Sequence, residues 1–223
     1  MNKEIVIGAN SYNKLKLPPM TLVLLEFTSN DWWLRDIKRD YRFVEAIFKE
    51  AGHPTQMRYL RPGKETEDVW TARRQCHFSA MHARGAKGPE KCFGTDICVP
   101  LPKLTEMIDF TEEKFQEANK ACYLCAHISD GNYHLIIPYA DKAEFELLQS
   151  IEEKMIKKAI ALGGTITGEH GIGCCKVCYV VQEHGQAHID VQEAIKKALD
   201  TDNVMNPGCF YPSQVAQYHP SHL

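Results

Sequence analysis

Between Gly163 and Gly173 the chain reads Gly-Gly-Thr-Ile-Thr-Gly-Glu-His-Gly-Ile-Gly, which sets Glu169 and His170 among five glycines. Glycine lets backbone approach a ligand closely and adopt positive φ. A carboxylate beside an imidazole in that setting reads as a site, with a plain polar loop as the alternative. A second cluster lies upstream, His127-Ile-Ser-Asp-Gly-Asn-Tyr-His134. Asp-Gly between two apolar runs is a strong hairpin signal. With Asp130 and Gly131 as the loop, Ser129 pairs with Asn132, Ile128 with Tyr133, and His127 with His134. The two histidines then stand opposite each other with Cβ atoms about 4.5–5.5 Å apart. That suits convergence on one ion with metal–nitrogen bonds of about 2.0–2.1 Å. A half-buried pair of histidines stacked across two strands is the alternative. Glu169 supplies a third ligand. Two imidazoles and one carboxylate leave an open position, the pattern of catalytic metals. Zinc, manganese and iron all suit it. Such an ion binds a carboxylate and a neighbouring hydroxyl together and lowers the hydroxyl pKa. His170 is then placed to take the proton.

These residues need elements to hold them. Residues 20–28 are mostly β-branched or apolar and read as a strand. Asn30 or Asp31 caps a helix to about Ala51, with Leu34, Ile37, Tyr41, Val44 and Phe48 on one face. A short strand at 56–60 completes a β-α-β unit. A second helix spans Glu65 to about Ala83 and carries Trp70, Arg73 and His77. The loop 84–92 is rich in Gly, Lys and Pro. Thr95–Val99 is a strand, and Pro100 and Pro102 open a helix over 104–118. Strands at 121–129 and 132–139 flank the turn. Helices follow at 142–162 and 188–199. This order predicts an α+β fold, an antiparallel sheet with helices on one face and a ferredoxin-like middle. Residues 1–212 form one domain, and 213–223 a loose tail.

Bulk properties narrow the function. Apolar residues make up 44% of the 223, enough for a core. A net charge of −3 argues against nucleic acid as the main partner. No apolar run reaches the roughly 18 residues of a membrane span. The N-terminus has neither signal-peptide nor transit-peptide character. Nine cysteines cannot all pair within one chain, and most read as reduced thiols in an intracellular protein. Cys122-x-x-Cys125 and Cys175-x-x-Cys178 together resemble a four-thiolate zinc module. Against it, an odd offset on a strand points Cys122 and Cys125 to opposite faces. Ser221-His222-Leu223 faintly echoes a peroxisomal address.

Together these clusters resemble the C-terminal, substrate-side part of the FAD-linked 2-hydroxy acid dehydrogenases, flavoproteins of the vanillyl-alcohol oxidase type. The resemblance runs from about residue 8 to 211. It rests on Leu24–Phe27, Val69-Trp-Thr-Ala-Arg73, Thr95-Asp-Ile-Cys-Val-Pro100, His127–His134, Gly164–Gly173 and Asp202–Gly208. The Thr95–Pro100 form favours the branch that oxidises D-lactate over those for D-2-hydroxyglutarate and glycolate. The resemblance implies a divalent metal, zinc or manganese, on His127, His134 and Glu169, and His170 as the base. It implies that Arg73 grips the substrate carboxylate, with Lys91 and Asn132 beside the substrate. Glu169, His170 and Asn206 are expected near FAD. It further implies cytochrome c or a flavoprotein as electron acceptor, and a mitochondrial location, with peroxisome and cytoplasm as alternatives.

The sequence departs from the family in places. Ser129 replaces a small residue, the 84–92 loop is longer so that Lys87 competes with Lys91, and Cys209 replaces a lysine. The family's FAD-binding domain lies N-terminal to this region, and no Gly-rich phosphate loop precedes Gly163. The expectation is a chain that is incomplete, with little or no activity alone. A degenerate domain that serves as a binding module is the reading of another class.

Overall fold

The spacing of apolar residues in two helices decides the central layers. In α5 (Leu104–Glu117), Leu104, Met107, Thr111 and Phe115 are buried. In α6 (Lys142–Ala161) the buried set is Leu148, Ile151, Met155, Ile156 and Ala159. These steps of three and four make one apolar stripe per helix. Asp141 starts α6 by accepting the Glu144 amide at 2.9 Å. Both stripes pack on β4 (Asn132–Tyr139), where Tyr133, Leu135 and Ile137 alternate onto one face. Burying each such side chain contributes about 1.5–3 kcal/mol.

The computed structural model describes residues 1–28, 35–52, 57–83, 91–209 and 211. The expected cap at Asn30 or Asp31, residue 56 of the short strand, the 84–90 loop with Lys87, and the tail beyond Pro212 lie outside them.

β4 is the centre of an antiparallel sheet. On one edge lie β1 (Lys91–Gly94) and β2 (Ile97–Cys98), and on the other β3 (Leu124–His127). Gly94 pairs with Ile136 and Ile97 with Tyr133, so the register runs on through Thr95 and Asp96. Asp96 therefore stands opposite His134. With α5 and α6 the core order is β-α-β-β-α, an α+β fold as expected. The expectation of helices on one face is corrected, because a second helical layer covers the other face. Ile5, Val6 and Ala9 of α1 (Lys3–Asn13), Ala72 of α3 (Lys64–Arg74), and Cys76 and Ala80 of α4 (Cys76–His82) meet Cys125 and Ile136 there.

Several elements differ from expectation. Residues 20–28, expected as a strand, carry no regular secondary structure and join no sheet among the described residues. The outer edge of β3 is already taken: Asn2 donates its amide to Leu124 O at 2.9 Å, and its side chain accepts the Leu124 amide at 3.2 Å. Met1 in turn exchanges two hydrogen bonds with Leu22. Residues 57–60 form no strand either, so no β-α-β unit forms here among the described residues, although its helix is present as α2 (Arg35–Glu50). The helix expected over 65–83 breaks at Gln75 into α3 and α4. α1 and α7 (Val177–His184) and strand β1 were not expected. α8 (Gln186–Leu199) starts two residues before its expected position at His188.

Candidate metal centre

The hairpin carries the first two groups. His127 pairs with Asn132, and Cys125 with His134. The expected face-to-face pairing of His127 with His134 is therefore corrected to a diagonal one. The two-residue type I′ loop that Asp-Gly favours needs positive φ at both loop positions. Here Ile128–Asp130 instead form a turn of 3-10 helix, and only Gly131 is left-handed, at φ 71°. A Cβ on Gly131 would fall 2.1 Å from Val99 O, so the turn also needs glycine for space. The loop thus has four residues. The diagonal still leaves both rings on one face, with centroids 5.7 Å apart.

Glu169 arrives from the glycine loop that leaves α6. Its Oε1 lies 2.8 Å from His134 Nε2 and 3.6 Å from His127 Nε2. These three ligand atoms are within the reach of one ion. The other nitrogen of His134, Nδ1, faces Thr95 O at 3.3 Å and Asp96 Oδ1 at 3.5 Å. Those acceptors hold the proton on Nδ1 and leave the Nε2 lone pair toward Glu169, the outer-sphere pattern of metal-binding histidines. Burial lowers the His134 pKa, although Asp96 opposes this, which favours the neutral ring. The donor set therefore fits a borderline divalent ion. His170 stacks on His134, with centroids 4.8 Å apart and planes 12° apart. Arg73 Nη2 donates to His127 Nε2 at 3.2 Å, on the lone pair a bound ion would take, so metal binding would release this contact and free the guanidinium.

Asp96 organises the loop. Its Oδ2 accepts the amides of Glu169 and His170, each at 2.8 Å, and the Thr167 hydroxyl at 2.7 Å. Oδ1 accepts Asn132 Nδ2 at 2.8 Å. The residue is 1% exposed. Burial pushes its pKa up, but the hydrogen bonds from His170, Thr167, Asn132 and Glu169 outweigh this and hold it well below the usual carboxylate range. Asp96 also belongs to a second possible ligand set with His134 and His170. With four donors already on its oxygens, it serves better as the outer carboxylate. Lys176 anchors the loop's base, donating to Ile166 O at 2.6 Å and Asp96 O at 3.3 Å. The sequence motifs assign no role to Asp96 or Lys176. The available signal was an acid set inside an otherwise apolar strand, Thr95–Val99.

The structure thus brings together His127, His134, Glu169, His170 and Arg73, with Asn132 just beneath. Asn132 is buried, and its amide donates to Asp96 and to Ile97 O, which places it as a support for the loop. Lys91 lies elsewhere: it opens β1 opposite Tyr139, roughly 17 Å along β4 from His134. Asn206 sits in a turn after α8, at φ 48°. Among the described residues no hydrogen bond joins Lys91 or Asn206 to the cluster. Neither ligand set includes a cysteine. Cys122 packs with the α5–α6 core and Cys125 with the opposite cluster, so the four-thiolate module does not assemble among the described residues.

Gly168 lets the loop lie on Asn132. A Cβ there would be 2.2 Å from Asn132 Nδ2. Gly168→Ala is expected to destabilise the chain by about 1–3 kcal/mol through this overpacking. Urea unfolding checks it, and an unchanged midpoint would contradict the close approach.

Comparison with known proteins gives the family. The family model "FAD linked oxidases, C-terminal domain" matches residues 3–209. A probable mitochondrial D-lactate dehydrogenase of Danio rerio is 29% identical over 92% of this chain and 40% of its own length. A mitochondrial D-lactate dehydrogenase (cytochrome) of Arabidopsis thaliana is 32% identical over 95% of the chain and 37% of its own length. A glycolate oxidase subunit of Bacillus subtilis is 28% identical over 93% and 43%. The chain thus spans less than half the length of these relatives. With nearly its whole length matched, it belongs to the family of FAD-linked oxidases, as their C-terminal domain.

Proposed function

We propose that residues 1–212 form the substrate-side domain of an FAD-dependent dehydrogenase of D-2-hydroxy acids, with D-lactate as the preferred substrate. The observation that carries this reading is the convergence of His127 Nε2, His134 Nε2 and Glu169 Oε1, flanked by Arg73 and His170. A zinc or manganese ion on these three ligands would polarise the substrate hydroxyl and lower its pKa. FAD, when bound, supplies the acceptor for the hydrogen on the substrate α-carbon. Arg73 takes the substrate carboxylate, since its planar fork matches two oxygens. His170 takes the hydroxyl proton on a ring nitrogen. Asp96 keeps His170 at its station by holding its backbone amide. The segment after about 165 closes toward the flavin. The names of the relatives support D-lactate, a cytochrome acceptor and a mitochondrial location for the whole enzyme. The Bacillus relative supports glycolate as a second substrate to assay.

The test joins this chain to the FAD-binding part of a relative and assays D-lactate, glycolate and D-2-hydroxyglutarate with an artificial electron acceptor. D-lactate turnover is expected to exceed the other two. His170→Ala is expected to lower kcat by about 100-fold or more, the usual worth of a positioned base. Undiminished turnover in that variant would remove His170 from the proton-accepting role.

A further inference from the structure

Three thiols face outward on the segment that joins the glycine loop to α7. Lys176 and Val177 are buried there, Lys176 through its hydrogen bonds to Ile166 O and Asp96 O, and Val177 in the α5–α6 core. With those two side chains turned inward, Cys174, Cys175 and Cys178 are left exposed, and the other six cysteines are buried or half-buried. Residues 172–176 wind as one turn, with the Lys176 amide on Ile172 O at 3.3 Å, and Cys178 follows in the first turn of α7. The Cys174 and Cys175 sulfurs stand 3.9 Å apart. Two sulfurs on one ion, with bonds of about 2.3 Å at tetrahedral or trigonal angles, stand roughly 3.8–4.0 Å apart. A disulfide needs about 2.05 Å. The pair as it stands has the bite of a chelate.

We propose that Cys174, Cys175 and Cys178 form a second metal site, selective for the soft monovalent ion Cu(I), with the adjacent pair as the chelate and Cys178 turning in as the third sulfur. Thiolate is a soft ligand that selects Cu(I), in contrast to the nitrogen and oxygen donors of His127, His134 and Glu169. Three sulfurs make a trigonal set that suits Cu(I), and a structural zinc ion asks for four ligands. The surrounding charge favours a cation over a nucleophilic role. Burial raises the Cys175 and Cys178 thiols, and Glu152 of α6 adds to the effect at both. A thiol kept protonated is a poor nucleophile, and the acid that keeps it so attracts a positive ion. A bound metal ion deprotonates a coordinating thiol outright. Each sulfur releases its proton to solvent as its bond to copper forms. Copper stays at +1 throughout, so no oxidant is consumed. Because this site shares no ligand with His127, His134 and Glu169, it stands or falls independently of that centre.

The test titrates the full chain, without oxygen, with Cu(I) delivered by a coloured Cu(I)-specific chelator. One Cu(I) per chain is expected to leave the chelator, with sulfur-to-copper charge-transfer absorbance rising in the ultraviolet. X-ray absorption at the copper edge is expected to give three sulfur neighbours. Cys174→Ser, Cys175→Ser and Cys178→Ser are each expected to weaken binding by more than the roughly 10–100-fold that a lost outer-sphere partner costs. All three side chains are exposed, so the melting temperatures of the metal-free variants are expected to match the parent. Cu(I) held at the parent affinity when all three cysteines are serine would overturn the site and put the ion on the histidines or the buried thiols. Unchanged affinity in Cys178→Ser would overturn the third sulfur. Displacement of bound Cu(I) by equimolar zinc would overturn the selectivity for a soft monovalent ion.

Discussion

Glu169→Gln is expected to abolish stoichiometric binding of zinc or manganese while leaving the fold intact. The carboxylate offers Oε1 to both His134 and His127 in one place, and no other acid reaches both Nε2 atoms in either ligand set among the described residues. A glutamine keeps the shape but loses the charge, and a neutral amide is a poor ligand for a borderline ion. The loss is expected to exceed the roughly 10–100-fold that removal of an outer-sphere partner costs. Stability without metal moves little, because the Glu169 side chain is 52% exposed and an exposed ion pair is worth about 0–1 kcal/mol. Calorimetric titration and thermal melting give the two readings. The unsubstituted chain gains about 2.7 kcal/mol when metal stands at 100 times Kd, and a chelator reverses the gain. Glu169→Gln gains nothing from metal. A variant that binds metal as tightly as its parent would remove Glu169 from the ligand set.

What could be read from the sequence divides along physical lines. α5 and α6 follow from their stripes, because local spacing and burial ask for the same structure there. β4 follows from the apolar run that begins just past the Asp-Gly turn. The ligand residues His127, His134 and Glu169 were legible as residue types in a glycine setting, but the route by which they meet was not. Asp130-Gly131 has the composition of a two-residue turn, yet the chain spends Ile128–Asp130 on a 3-10 turn, and nothing local separates the two. The stretch 20–28 has strand composition, but a strand also needs an open edge, and Asn2 holds the edge of β3. α7 escaped notice for the opposite reason: Val177-Cys-Tyr-Val-Val181 is β-like in composition and becomes helical by burying Val177 and Val180. Asp96 is the largest omission. Its importance comes from donors that reach it from residues 132, 167, 169 and 170, and contacts of that sequence separation leave no local trace.

Asp96→Asn is accordingly expected to have a large effect for a change of one atom. Oδ2 accepts three donors and Oδ1 accepts a fourth from Asn132, with His134 Nδ1 also facing it. An amide has a single oxygen. Turned toward Thr167, Glu169 and His170, it sets its own NH2 against the Asn132 amide and the proton on His134 Nδ1. Turned the other way, it leaves the three loop donors facing an NH2 group. Either arrangement leaves buried donors unpaired at about 1–3 kcal/mol each, and relaxation of the loop limits the total to about 2–4 kcal/mol. The same change frees the amides that hold Glu169 and His170 in place and takes away the carboxylate behind His134. Metal affinity is therefore expected to fall by about 10–100-fold, the usual effect of losing an outer-sphere carboxylate. Urea unfolding and metal titration of one protein preparation measure both losses. A variant that lost stability and kept full metal affinity would make Asp96 a purely structural acid. One that kept both would show that the loop is held by Lys176 and the packing of Gly168 on Asn132, with no need of the buried charge.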